Sequence, residues 1–175
     1  MVLGVAKKPV DALVSIYTGE GWSHRWYLYL LIGIYLLLPF YAIFPSPLTL
    51  QIGQAVVVAS GVIPTLLLAR RVKLSGRAQV LVCLIYSLYP ALSTGCFYDL
   101  HENCFLAPLL LWLFYFFEKE KYPWMYLFAF LTLMVKEDAA IYVIFFALYL
   151  LLGRKKYLHG VILLAGAAMY FGIAL

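Results

Sequence analysis

Charged residues in this chain are gathered into short clusters, and the stretches between the clusters are apolar over lengths that approach the thickness of a lipid bilayer. A spanning helix needs about 20 mostly apolar residues. Trp26–Phe44 and Leu48–Ala69 meet that requirement, and shorter apolar runs follow to Leu175. Composition agrees: 66% of the 175 residues are hydrophobic, 12% are charged, and the mean hydropathy is +0.95. Soluble domains are about half apolar and a quarter charged. The sequence therefore predicts an all-α, polytopic membrane protein with no soluble domain left over. The 13 basic residues against 8 acidic ones have a topological explanation, and nucleic acid is rejected as a partner.

In chain order, residues 1–25 are expected to form a cytoplasmic N-terminal segment and residues 26–175 a transmembrane helical domain. The first span, Trp26–Phe44, ends at Pro45-Ser46-Pro47, where paired prolines force a turn. A second, Leu48–Ala69, is followed by Arg70, Arg71, Lys73 and Arg77. The third runs from about Ala78 to Gly95, and the fourth from Leu100 to Phe117 before Glu118-Lys119-Glu120-Lys121. Cys83, Cys96 and Cys104 match neither a disulfide framework nor a metal-ligand spacing and read as small apolar fillers.

Pro123–Leu152 decides the architecture. As one helix it would be about 45 Å long, overshooting a hydrocarbon core of about 30 Å. It would also place Lys136-Glu137-Asp138 in mid-membrane, at about 2.5 to 3.5 kcal/mol each for the Lys and the Asp. Two short helices, Pro123–Val135 and Ala139–Leu152, avoid both costs and bring the total to about seven transmembrane or half-spanning helices. With a cytoplasmic N-terminus, this arrangement keeps every basic residue inside except Lys136.

Two polar stretches then share the outer face: Phe97-Tyr98-Asp99-Leu100-His101-Glu102-Asn103, and Lys136-Glu137-Asp138. Each has a structural explanation. Asp99 and Glu102 are spaced as a capping box for the fourth helix, and Asp138 can cap the sixth while Lys136 pairs with Glu137. Capping leaves His101 and Asn103 unexplained. Ionisable groups at membrane depth usually mark a site, and apposed carboxylates beside a Lys and a His can tune one another's proton affinity or hold a divalent cation. The candidate catalytic residues are therefore Asp99, His101, Glu137 and Asp138, with Glu102, Asn103 and Lys136 as candidate substrate-binding residues. No dedicated metal-ligand set is read. Arg70-Arg71 and Arg154-Lys155-Lys156 read as orientation signals that attract anionic lipid, and Trp124 and Tyr126 as part of an interfacial belt.

The order of Tyr41–Leu50, Leu66–Arg71, Tyr89–Leu92, Phe97–Asn103 and Val135–Asp138 resembles the bacterial and archaeal membrane proteins of domain-of-unknown-function family 2079, over about Tyr35 to Gly160. That family is similar to the GT-C glycosyltransferases, polytopic enzymes that take sugars from lipid phosphates on the outer membrane face. The resemblance implies a GT-C-like partial bundle in a prokaryotic plasma membrane and a polyprenyl-phosphate sugar donor. It aligns the family's Phe-Asp-x-His motif with Phe97 or Tyr98, Asp99 and His101, and its Lys-Glu-Asp motif with Lys136, Glu137 and Asp138. Glu102-Asn103 stand where the family often has Pro, and Tyr29–Ile34 stand in place of a His-x-Ser-Pro element. The family's earlier outer loop, which carries the usual base of GT-C enzymes, has no counterpart. The chain thus reads as shortened at both ends and is expected not to turn over a lipid-linked sugar by itself. The rival expectations are a transporter or lipid-handling protein using the same outer-face charges, and a non-catalytic membrane subunit.

Overall fold

The computed structural model describes residue 44 and residues 46–90, 102–136 and 138–174. Among these residues every regular element is helical. They are α1 (Pro47–Ser60), α2 (Val62–Arg71), α3 (Gly76–Leu88), a 3-10 turn (Glu102–Phe105), α4 (Leu106–Glu118), α5 (Tyr122–Leu133), α6 (Ala139–Leu148), a π turn (Tyr149–Gly153) and α7 (Tyr157–Ala174).

Proline explains several boundaries. Pro47 opens α1, where a missing N–H costs nothing, and Thr49 Oγ1 bonds the Phe44 carbonyl at 2.8 Å. Pro64 cannot donate to the Ser60 carbonyl, which breaks the ladder where α1 meets α2. Gly61 at that joint is packed against Tyr86 and Pro108, and the Tyr86 hydroxyl donates to the Val58 carbonyl at 2.8 Å. Pro108 likewise has no N–H for the Cys104 carbonyl, so the chain enters α4 through a tight 3-10 turn. Among the described residues the α-helix begins at Leu106, after that turn; Asp99, where the capping-box spacing predicts the helix start, lies outside them. Pro123 occupies the first turn of α5.

Three ends share one device. Lys73, Glu120 and Lys155 adopt φ of 57°, 54° and 52°. The chain reverses there, with Leu74 N–H bonding Ala69 at 3.1 Å, Lys121 N–H bonding Phe116 at 3.0 Å and Lys156 N–H bonding Leu150 at 3.0 Å. This is the left-handed helix stop usually given to glycine. The reversals lie at one end of the bundle, because Glu118 pairs with both Arg71 (3.3 Å) and Arg154 (3.1 Å), and Lys156 with Glu120 (3.4 Å).

α5 and α6 form the predicted hairpin around Lys136, within two residues of its predicted start and with the second arm completed by the π turn. They pack with α4 and α7 on a core that includes Leu113, Phe117, Met125, Ala129, Val143 and Leu163. Gly160 lets α7 approach α6 closely, since a Cβ there would lie 2.6 Å from Leu151 and 3.2 Å from the Ala147 carbonyl. Trp112, Phe116, Trp124 and Phe128 fill the seam between α4 and α5, with centroids 5.3 to 5.9 Å apart.

The seven-span expectation is not confirmed. Among the described residues one unit, Gln51–Arg71, has 21 residues and the apolarity to cross a bilayer, and five further apolar helices are of 10–17 residues. From Tyr122 to Val135 the chain rises only about 20 Å. The first predicted span lies outside the described residues except for Phe44, as do residues 91–95 of the third.

Candidate functional site

The turn between α5 and α6 is held by its apolar flanks. Val135 is buried on one side and Ala139 and Ala140 on the other, while Lys136 is half-exposed and Asp138 exposed. The 3-10 turn repeats the arrangement, with Cys104 and Phe105 buried and Asn103 exposed. Phe105 packs directly against Val135, with Val57, Leu106 and Leu109 around the pair. The two apolar anchors thus bring Asn103, Lys136 and Asp138 to the same end of the bundle, opposite the Arg71–Glu118–Arg154 cluster.

Lys136 Nζ lies 3.7 Å from an Asp138 carboxylate oxygen. The side chains are 32% and 62% exposed, so in water such a pair contributes at most about 1 kcal/mol. Asp138 does not cap α6 with its side chain: its backbone is already helical at φ −63° and ψ −20°, which turns the carboxylate away from the first amides. The capping explanation therefore fails for Asp138, and the carboxylate faces Lys136 instead. Asp99, His101 and Glu137 lie outside the described residues, and for Glu102 only the backbone is described, as the start of the 3-10 turn. Among the described residues no three of His, Cys, Asp and Glu converge on a metal position.

Gln54 was not anticipated. It is fully buried in α1, one helical turn from Val57 and so on the face turned toward Phe105 and Val135. Gln54, Val58, Thr65 and Ala69 form the buried stripe of α1 and α2, with the glutamine at the end nearest the polar turns. The buried Thr65 and Thr132 hydroxyls each bond a carbonyl of their own helix at 2.7 Å. Among the described residues no buried side-chain nitrogen or oxygen lacks a hydrogen-bond partner. A glutamine inside an apolar run was the available signal, because a buried amide must find a partner.

A second polar group stands at the opposite end. The Tyr126 hydroxyl and His159 Nδ1 share a hydrogen bond of 2.7 Å, and Tyr122 stacks on the same imidazole at 3.9 Å between centroids. Hydrogen bonds with Tyr122 and then Glu120 hold the Lys156 ammonium above the usual lysine range. The i,i+4 pair Tyr122/Tyr126 facing the i,i+3 pair Lys156/His159 is legible in the sequence only once α5 and α7 are known to be neighbours.

A family model described as a predicted membrane protein (DUF2079) matches residues 29–174. The chain belongs to this family. Membership gives meaning to the large exposed apolar side chains on α1 and α3. Leu48, Ile52 and Val56 on α1, and Val80, Leu81, Leu84, Ile85 and Leu88 on α3, are all exposed. The family is a membrane family, and these faces suit contact with acyl chains. No curated protein and no solved structure matches the chain.

Proposed function

We propose that the chain is a GT-C-like membrane protein that handles a sugar carried on a polyprenyl phosphate, at the membrane face where its two polar turns meet. The observation that supports this most is the packing of Phe105 on Val135, which assembles the flanks of both family motifs at one end of the bundle. The clustered cations at the opposite end favour a cytoplasmic orientation there, which supports an outer-side position for the polar turns.

In this reading, in an intact relative, a carboxylate at the position of Asp99 or Glu137 takes the proton of an acceptor hydroxyl. The hydroxyl oxygen forms its bond to the anomeric carbon as the bond from that carbon to the phosphate oxygen breaks. The electron pair leaves on the lipid phosphate. Lys136 stabilises that developing charge, and the exposed Asp138 keeps the ammonium within reach of the turn. In the same reading His101 assists the carboxylates, and Glu102 and Asn103 bind the substrate.

The test is binding of polyprenyl phosphate to the purified chain in zwitterionic nanodiscs. Replacing Lys136 with Gln removes the cation and should weaken binding roughly tenfold, the size of one charge-assisted contact. Equal binding by wild type and K136Q would sink the donor-lipid reading. A cation or proton flux in proteoliposomes that depends on Lys136, without lipid-phosphate binding, would point to transport instead.

A further inference from the structure

The end opposite the polar turns is assembled from three helix ends, and its central ion pairs are unequal in charge. Arg71 closes α2, Glu118 closes α4, and Arg154 follows the π turn. Arg71 Nε lies 3.3 Å and Arg154 Nη2 3.1 Å from the Glu118 carboxylate. One carboxylate between two guanidiniums leaves the trio cationic. Glu118 is also the deeper partner, 21% exposed against 43% and 44% for the two arginines.

The guanidiniums are oriented as well as paired. Arg154 lies over the Phe117 ring at 5.3 Å. A guanidinium carries five N–H donors in a fixed fork, and each arginine directs one nitrogen at Glu118. Each guanidinium has further N–H donors beyond the one directed at Glu118.

What lies beside this cationic pair is apolar. Phe114 is one turn before Glu118 on α4 and contacts Tyr149 at 5.9 Å, and both rings are more than a third exposed. Leu152, two residues before Arg154, is 79% exposed. A soluble anion would use only the cationic top. An amphipathic lipid uses both parts, with phosphate against the guanidiniums and acyl chain along the rings and Leu152. We infer that Arg71 and Arg154 form a binding site for the phosphate of an anionic membrane phospholipid, with Glu118 as the spacer that sets the two forks. The bound phosphate would tie α2 to the hairpin formed by α5 and α6. This site is at the opposite end from the proposed donor site and stands independently of that reading.

The experiment uses the full chain in phosphatidylcholine nanodiscs containing a minor fraction of phosphatidylglycerol, with native mass spectrometry counting the phosphatidylglycerol retained. Arg71→Lys with Arg154→Lys keeps both charges and a partner for Glu118 while removing the forks, and should lower retention roughly tenfold. Arg70→Gln with Lys155→Gln removes two neighbouring charges and should lower it far less. If the lysine pair retains lipid like wild type, or the glutamine pair loses as much, the attraction is diffuse and the site is overturned. Inorganic phosphate that displaces the lipid at equal concentration would show a soluble-anion site and overturn the lipid assignment. Should the double lysine variant lose its helical circular dichroism, Arg154→Lys alone carries the same comparison, with a smaller loss expected and no loss overturning the proposal.

Discussion

At the scale of single residues, the most informative position is one whose character is wrong for its surroundings. Gln54 sits fully buried in an apolar stripe, and its amide does not go without a hydrogen-bond partner there. Replacing it with the similarly sized Leu leaves its partner without a bond, at a cost of about 1 to 3 kcal/mol. Cys104, buried in the adjoining 3-10 turn, reports on whether that turn stays seated, and the half-buried Cys83 on α3 serves as control. In a Cys96→Ala background, Gln54→Leu should speed reaction of Cys104 with a membrane-permeant thiol reagent and leave Cys83 unchanged. Parallel acceleration of both thiols would mean general loosening and no special role for the glutamine. Lys136 and Asp138 show the other side of residue-scale reasoning. The sequence suggests a cap by Asp138 and a pairing of Lys136 with Glu137; Glu137 lies outside the described residues, and Asp138, with a helical backbone and no side-chain cap, pairs with Lys136 itself.

Among elements, the boundaries that proline controls were readable, and those set by backbone reversal were not. Pro45-Ser46-Pro47 marks a helix start, and Pro123 marks another, because each effect is local to the ring and its missing N–H. The left-handed stops at Lys73, Glu120 and Lys155 carry no such signal, since glycine is the residue that announces them. A charged L-residue there carries a steric cost of about 1 to 2 kcal/mol. Lys73→Gly should therefore stabilise the chain by about 1 kcal/mol, after the loss from greater unfolded-state freedom is deducted. Unfolding in mixed detergent micelles measures it, and a destabilised variant would show that the lysine side chain contributes more than its backbone costs. The start of the fourth helix illustrates the limit of a motif. Asp99-x-x-Glu102 has the spacing of a capping box, and Asp99 lies outside the described residues; within them Glu102–Phe105 form a 3-10 turn, and Pro108 has no N–H to extend the α-helical ladder back into it.

For the whole molecule, the decisive feature is that the described polar groups gather at two ends of the bundle. Arg71, Glu118, Arg154, Glu120 and Lys156 meet at one, and Asn103, Lys136 and Asp138 lie at the other. On a cysteine-free background, Asn103→Cys and Asp138→Cys should react with an impermeant reagent from the same side of the membrane. Lys119→Cys and Lys155→Cys should react from the opposite side. Labelling of Asn103→Cys and Asp138→Cys from different sides would break the hairpin topology. The short rise of α5, about 20 Å, further implies that the Lys136 turn does not extend across a full bilayer thickness of about 30 Å unless the bilayer thins there.

Helical class, membrane environment and the break at Lys136 follow from the sequence alone, because all three depend on how many apolar residues separate charges and on what a bilayer charges for burying them. The family resemblance was carried by the same linear motifs, and the match over residues 29–174 bears it out. Tertiary structure decided which side chains meet. Phe105 on Val135, Glu118 between Arg71 and Arg154, and His159 between Tyr122 and Tyr126 join residues from separate helices. Spacing along a chain reports which residues share a helix face, and says nothing of which two faces come together. That choice is made by packing: a glycine at position 160 that admits close approach, and an aromatic seam that locks α4 to α5.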